Sequence, residues 1–271
     1  MSNNLVYIVM DSCRFDSYLA AKRPHMDRIG AGERRYAYAS WTSPSHYTYL
    51  MGMVPHDSPQ GVFASEVYKK DFVKWVDRLG IEGLAFKSFV PQLSLPKVLQ
   101  DNGYRTVARV SMPVLNPTSH LNKHFDDYKL MQNHSDFAGM VDEIEFYEDE
   151  PQFFFLNLGE THYPYMLEPG SLPHISGVHG VFKRMDDELG RQTDDRFFDD
   201  DQMKALHQQQ IKCVEHVDSV LDALISKAPA NTHFLITADH GECFGEGGYF
   251  GHGPIVHDKV LEVPFLEGRK R

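Results

Sequence analysis

The chain has 271 residues, enough for one large domain or two small ones and for a substantial buried core. Against 27 Lys+Arg stand 38 Asp+Glu, a net charge of −11, and this excess argues against a nucleic-acid partner, since phosphate backbones are met by a basic face. A hydrophobic fraction of 42% and a charged fraction of 24% are ordinary for a folded soluble protein, whereas 15 histidines ask for a chemical explanation.

The opening residues run straight into Leu5-Val6-Tyr7-Ile8-Val9-Met10, which predicts a first strand with no basic leader before it. Nowhere do about 18 apolar residues follow one another, so no membrane-spanning helix is expected. Next, Trp41-Thr42-Ser43-Pro44 signals a helix start, with Ser43 as cap and Pro44 at the first helical position, and Gly52 marks its end. Strands are predicted over 105–110 and over 153–158, where Phe-Phe-Phe-Leu-Asn-Leu is nearly continuous in apolar character. Residues 166–202 mix Gly, Pro and His with Asp194, Asp195, Asp199, Asp200 and Asp201, and read as a surface excursion with a solvated acidic face. Ile211, Val214, Val217, Leu221, Leu224 and Ile225 then recur at helical spacing over 203–227, with Pro229 as the stop, before a last strand over 233–238. Alternating strands and helices imply an α/β fold: a doubly wound, mostly parallel sheet sandwiched by helices, in one domain over 1–271. Cys13, Cys213 and Cys243 cannot all pair and lack a Cys-x-x-Cys spacing, which fits a reducing cytoplasm.

Ligand-type side chains sit directly after the strands, where open α/β sheets bind their ligands. Asp11 follows the first strand; Asp239 and His240 follow the last, and Gly241 lets the backbone turn so that both can point into one pocket. Thr42 stands at a helix start, whose free N–H groups favour an anion such as phosphate. Three oxygen donors and one imidazole suit a divalent ion, zinc or manganese better than copper. Coordination would lower the pKa of the threonine hydroxyl and make it a competent nucleophile.

These segments resemble the alkaline phosphatase superfamily, in particular its sulfatase-like branch, over nearly the whole chain. Met10-Asp11-Ser12-Cys13-Arg14-Phe15-Asp16 resembles the first metal-binding strand end, and Pro24-His25-Met26-Asp27-Arg28-Ile29 is similar to a Pro-Asn-Leu-Asp-Arg-Leu segment. Thr42-Ser43-Pro44-Ser45-His46, followed by Leu50-Met51-Gly52-Met53-Val54-Pro55, resembles the sulfatase signature Cys-x-Pro-Ser-Arg with its Leu-Thr-Gly-x-x-Pro sequel. Asn102-Gly103-Tyr104-Arg105-Thr106 and Phe125-Asp126-Asp127-Tyr128 match two further landmarks. Gly159-Glu160-Thr161-His162-Tyr163-Pro164-Tyr165 is similar to a Gly-x-His-x-Pro-x-Tyr turn. Asp239-His240-Gly241-Glu242, Gly245-Glu246 and His252-Gly253 resemble the metal-ligand segment of phosphoethanolamine transferases.

The resemblance implies that Asp11, Thr42, Asp239 and His240 hold one metal, while His162 and His252 face the substrate or contribute to a second. His162 or His252 would donate protons, His46 would face the substrate, and Arg14 either holds a phosphoryl oxygen or forms a surface ion pair with Asp16 or a neighbour. Glu242 and Glu246 would support the loop or orient the ligands. Sulfatases convert a cysteine or serine to formylglycine, and a threonine at position 42 cannot yield that aldehyde. His46 and Ser111 stand where sulfatases carry Arg and Lys, so two cations that hold sulfate are missing.

The expectation is a metal-dependent hydrolase or transferase with a threonine nucleophile, acting on a small-molecule phosphate ester, phosphodiester or phosphonate. The alternatives are a sulfatase-like enzyme acting without formylglycine and a non-catalytic metal-binding scaffold, the latter suggested by a compact C-terminal part. An apolar sheet edge left open by that brevity could be covered in a homo-oligomer.

Overall fold

Seven strands share one sheet in a computed structural model of the protein, which describes residues 3–52, 94–168, 198–253 and 256–270, together with Lys70, Gly80, Gly170 and Ser171. In chain order they are β1 (Asn4–Met10), β2 (Glu33–Tyr36), β3 (Arg105–Val110), β4 (Asp127–Leu130), β5 (Gln152–Leu158), β6 (Thr232–Thr237) and β9 (Glu262–Arg269). A separate hairpin pairs β7 (Cys243–Phe244) with β8 (Phe250–Gly251). The order across the sheet is β2-β9-β6-β1-β5-β3-β4. The block β6-β1-β5-β3-β4 is parallel throughout, while β9 runs antiparallel to β6 and to β2. The parallel run β6-β1-β5-β3 is what the apolar runs implied, and β4 extends it beyond the expected strands. The antiparallel pair of β9 and the edge strand β2 was not foreseen, and in β9 Pro264 and Gly268 break up the strand pattern.

The period of two along a strand explains why β5 is buried over its whole length. Phe154, Leu156 and Leu158 enter one hydrophobic cluster, and Phe153 and Phe155 enter another on the opposite face. β1 divides likewise, with Val6, Ile8 and Met10 on the first face and Val9 on the second. The first face is covered by α1 (Phe15–Ala20), α2 (Pro24–Ile29), α5 (Phe137–Glu143) and α6 (Asp200–Lys227). The second is covered by α3 (Thr42–Met51) and α4 (Leu95–Asp101). A short α7 (Asp258–Leu261) precedes β9.

Two helix starts differ from the sequence expectation. α6 begins at Asp200, because the Asp199 carboxylate accepts from the Gln202 N–H and the Gln202 side chain accepts from the Asp199 N–H. Asp200 and Asp201 then lie in the first turn, where the helix dipole favours negative charge. Residues 200–202 of the stretch read as an excursion thus belong to α6; residues 172–197, with Asp194 and Asp195, lie outside the described residues. In α3 the cap is Trp41 rather than Ser43, and no side chain caps it, so Thr42 itself opens the helix. Its end is as expected: Gly52 takes φ +64°, a left-handed conformation that suits glycine.

Candidate active site

Three neighbouring parallel strands, β6, β1 and β5, deliver their carboxyl ends to one place. Asp11 is the first residue after β1, and Asp239 and His240 follow β6. Ser12 turns the chain sharply with φ +59°, which lets its N–H donate to Asp239 Oδ1 at 3.1 Å and its hydroxyl donate to Asp11 Oδ1 at 3.2 Å. Gly241 is needed beyond its flexibility, since a Cβ there would lie 2.2 Å from the Lys259 carbonyl oxygen. α3 brings Thr42 from the second face.

The donor atoms converge. His240 Nδ1 donates to the Gly241 carbonyl at 2.8 Å, so Nε2 carries the lone pair. That nitrogen lies 3.4 Å from Asp239 Oδ2, 4.0 Å from Asp11 Oδ1 and 3.4 Å from Thr42 Oγ1. Thr42 Oγ1 is 3.5 Å from Asp11 Oδ1. Ligand atoms of Asp11, Asp239 and His240 all lie within 4.8 Å of one another, and all three residues are buried. Asp239 Oδ2 is buried with no hydrogen-bond donor among the described residues, an expensive arrangement for a carboxylate oxygen unless a cation satisfies it. This donor set fits a divalent ion such as zinc or manganese.

Electrostatics agree with that fit. Burial raises the pKa of both Asp11 and Asp239 above the usual carboxylate range, and for Asp11 the facing Asp239 adds to the rise. Burial also lowers the pKa of His240, which favours the neutral, ligating imidazole. In Glu242 burial pushes the carboxyl up to about 8.

His252 and His162 join the same cluster. The His252 ring centroid is 4.2 Å from that of His240 and 5.3 Å from that of His162. His252 Nδ1 lies 3.4 Å from Ser12 Oγ and 3.6 Å from Glu242 Oε2. His162 Nδ1 donates to the Tyr163 carbonyl at 2.7 Å.

Two sequence-assigned substrate contacts are placed otherwise. Arg14 is not directed at Thr42: its guanidinium forks onto Asp16 at 2.7 and 2.6 Å and reaches Glu246 at 2.7 Å, the expected ion pair but with a buried guanidinium in place of a surface one. Lys259 adds a 2.7 Å contact to Asp16. Burial alone would raise the Asp16 pKa, but the Arg14 and Lys259 charges outweigh it and hold the carboxyl well below the usual range. Arg14 is only 2% exposed, whereas its acidic partners are about a third exposed. Replacing it in Arg14→Gln is therefore expected to cost about 2 kcal/mol, less than for a wholly buried pair, read from urea unfolding midpoints. Because the Asp16 pKa is depressed, this contribution is present above about pH 4 and lost as pH falls further. His46 is wholly buried. Its Nδ1 donates to the Thr42 carbonyl at 2.8 Å, and its ring packs against Tyr49 and Phe155, so it braces the first turn of α3 from behind.

Several supporting residues escaped the sequence reading. Asn157 donates to Asp11 Oδ2 at 3.0 Å and accepts from the Ser111 and Met112 N–H groups. Its signal was present, as the single polar residue in the apolar run of β5. Gln210 donates to the Ser12 and Thr161 carbonyls, at 3.0 Å each, and to Glu242 Oε1 at 3.1 Å. It interrupts the buried stripe of α6 between Leu206 and Cys213, a pattern that marks a polar group with work inside the core. Tyr165 donates to Glu242 Oε1 at 2.6 Å, so Glu242 braces this loop as expected. Cys13, Cys213 and Cys243 are all free and buried. No described helix is long and apolar enough to cross a membrane.

Solved structures share this architecture at low sequence identity. The C-terminal periplasmic domain of phosphoethanolamine transferase EptC from Campylobacter jejuni matches with a TM-score of 0.56 and 10% identity over 98% of this chain and 80% of its own. The corresponding Escherichia coli domain in complex with Zn gives 0.58 and 12%, over 100% of this chain and 73% of its own. A 2-O GAG sulfatase gives 0.58 and 13%, over 100% of this chain and 66% of its own. No curated protein matches the chain significantly. The family model described as "Sulfatase" matches residues 3–266, nearly the full length. With its mostly parallel sheet between helical layers and its Asp, Asp and His side chains gathered at the strand ends, the chain belongs to the sulfatase family.

Proposed function

We propose that the protein is a metal-dependent hydrolase or transferase that acts on a phosphate ester, phosphodiester or phosphonate through Thr42. The observation that carries this reading is the position of the Thr42 hydroxyl, 3.5 Å from Asp11 Oδ1 and 3.4 Å from His240 Nε2, at the point where the Asp11, Asp239 and His240 donors meet. A divalent ion held there would lower the hydroxyl pKa and neutralise charge that builds on phosphoryl oxygens. Thr42 Oγ1, its proton given up to solvent, attacks phosphorus in line with the leaving oxygen; the O–P bond to threonine forms as the bond to the leaving group breaks. His162 or His252 gives the departing oxygen its proton. Water or an acceptor hydroxyl then releases the phosphoryl group from threonine, and the imidazole takes up a proton again.

Sulfate ester hydrolysis is the second reading, favoured by the family itself. Against it, the hydroxyl at position 42 belongs to a threonine, and the neutral His46 and Ser111 supply no fixed charge for a sulfate. The test is a panel of 4-nitrophenyl phosphate, bis(4-nitrophenyl) phosphate, a phenylphosphonate ester and 4-nitrophenyl sulfate, with zinc or manganese added. Turnover of a phosphorus ester above the sulfate is expected; preference for the sulfate would reverse the assignment, and no turnover of any would favour the non-catalytic scaffold.

A further inference from the structure

Imidazoles continue outward from the cluster in a row. His240, His252, His162 and His134 follow one another with ring centroids 4.2, 5.3 and 5.4 Å apart. His134 lies in the turn after β4 and is half-buried, and no motif drew attention to it. Its segment is built against the 159–162 turn by three separate features. A Cβ on Gly159 would lie 2.1 Å from the His134 carbonyl oxygen and 3.0 Å from its ring, so only glycine admits the approach. The wholly buried Glu160 accepts from the Phe137 N–H at 2.7 Å, tying the start of α5 to the same turn. The His134 ring then meets the His162 ring nearly edge-on, at 66°.

His162 is thus held on three sides: its Nδ1–H on the Tyr163 carbonyl, His252 on the pocket side, and His134 on the outer side. An imidazole that transfers a proton must keep its reacting nitrogen aimed at one atom, and a misplacement of about 1 Å can cost roughly 10²-fold in rate. We propose that His134 is a positioning residue whose ring fixes the orientation of His162, and through it the proton transfer to the leaving oxygen. This rests on the proton-donor role of His162 in the function proposed above. The proton balance is simple: Nε2 of His162 gives its proton as the phosphorus–oxygen bond breaks and regains one from solvent, while His134 exchanges none.

The test uses the full chain loaded with zinc and two variants, His134→Ala and His134→Phe. On an ester with an alkyl leaving group, which needs a proton, His134→Ala is expected to lower kcat by roughly tenfold to a hundredfold with KM nearly unchanged. On the 4-nitrophenyl ester, whose leaving group departs unaided, the loss should be much smaller. His134→Phe, which keeps a ring in place, should restore most of the rate. Independently of activity, His134→Ala should shift the His162 Nδ1–H signal in an imidazole 1H–15N spectrum and speed its exchange, with amide signals distant from 134–162 unmoved. Equal losses on both esters, or an unmoved His162 signal, would overturn the proposal. Should wild-type protein turn over no phosphorus ester at all, the functional reading fails, while the spectrum still decides whether His134 holds His162.

Discussion

Thr42→Ala is expected to lower turnover of a phosphate ester or diester by roughly 10³-fold or more, equivalent to about 4 kcal/mol of lost transition-state stabilisation. The size follows from the loss of the attacking atom itself, not of a neighbour that assists it. The fold should survive, because position 42 opens α3 and alanine is a good helix former, and no side chain caps that helix in the wild type. Asp11, Asp239 and His240 would also remain to hold zinc, so the variant separates the nucleophile from the ion. Thr42→Ser keeps a hydroxyl and should retain much of the activity. Incubation of wild type with substrate, followed by acid quench and mass measurement, should add a phosphoryl group to the peptide carrying Thr42. Full activity in Thr42→Ala, or a label on another residue, would sink the threonine mechanism.

Zinc or manganese added to metal-free protein is expected to raise Tm by about 5–10 °C at a hundredfold excess over Kd. Such an excess contributes about 2.7 kcal/mol, and a chain of this size gains about 2–4 °C for each kcal/mol. The gain should be larger at pH 8 than at pH 6. In metal-free protein the pKa values of Asp11, Asp239 and Glu242 are raised above their ordinary range, chiefly by burial, to about 8 for Glu242. Between about pH 4 and pH 8 the folded state therefore binds more protons than the unfolded state, and stability falls as pH rises through that window. With Asp11 and Asp239 bound to a dication their charged forms are favoured, and most of that slope should vanish. Asp239→Asn removes a carboxylate whose Oδ2 has no donor among the described residues, so it should raise the metal-free Tm at pH 8 while abolishing most of the gain from zinc. Calorimetric scans at the two pH values check both statements. A gain independent of pH, or one retained in Asp239→Asn, would contradict them.

Much of the parallel core was legible because its signals are local. The Phe-Phe-Phe-Leu run of β5 can be buried only on both faces, and α6 writes its apolar stripe at helical spacing. Asp11, Asp239, His240 and Thr42 were legible for a related reason: each directly follows a strand or opens a helix, so chain order alone suggests a shared pocket. Even the cap of α6 was written in the sequence, as Asp199 and Gln202, although the surrounding acids made it read as part of a loop.

What sequence could not supply were the choices made among residues far apart in the chain. Arg14 had acidic candidates and a phosphoryl group to choose between, and only folding brought Glu246 and Lys259 to the Asp16 side, where paired charge offsets the cost of burial. His46 likewise turned inward, because α3 packs its buried face onto Phe155 and leaves the imidazole the Thr42 carbonyl as its partner. Asn157, Gln210 and His134 each acquire their place from contacts with segments distant in the chain: Asn157 with Asp11, Gln210 with Ser12, Thr161 and Glu242, and His134 with His162. The sequence by itself therefore determined the parallel sheet and the ligand-type residues at its strand ends, since burial pattern and chain position are local properties. The tertiary structure decided which polar side chains face the pocket and which brace it, since hydrogen bonds and ion pairs depend on angstrom-scale distances between segments that only the packed fold brings together.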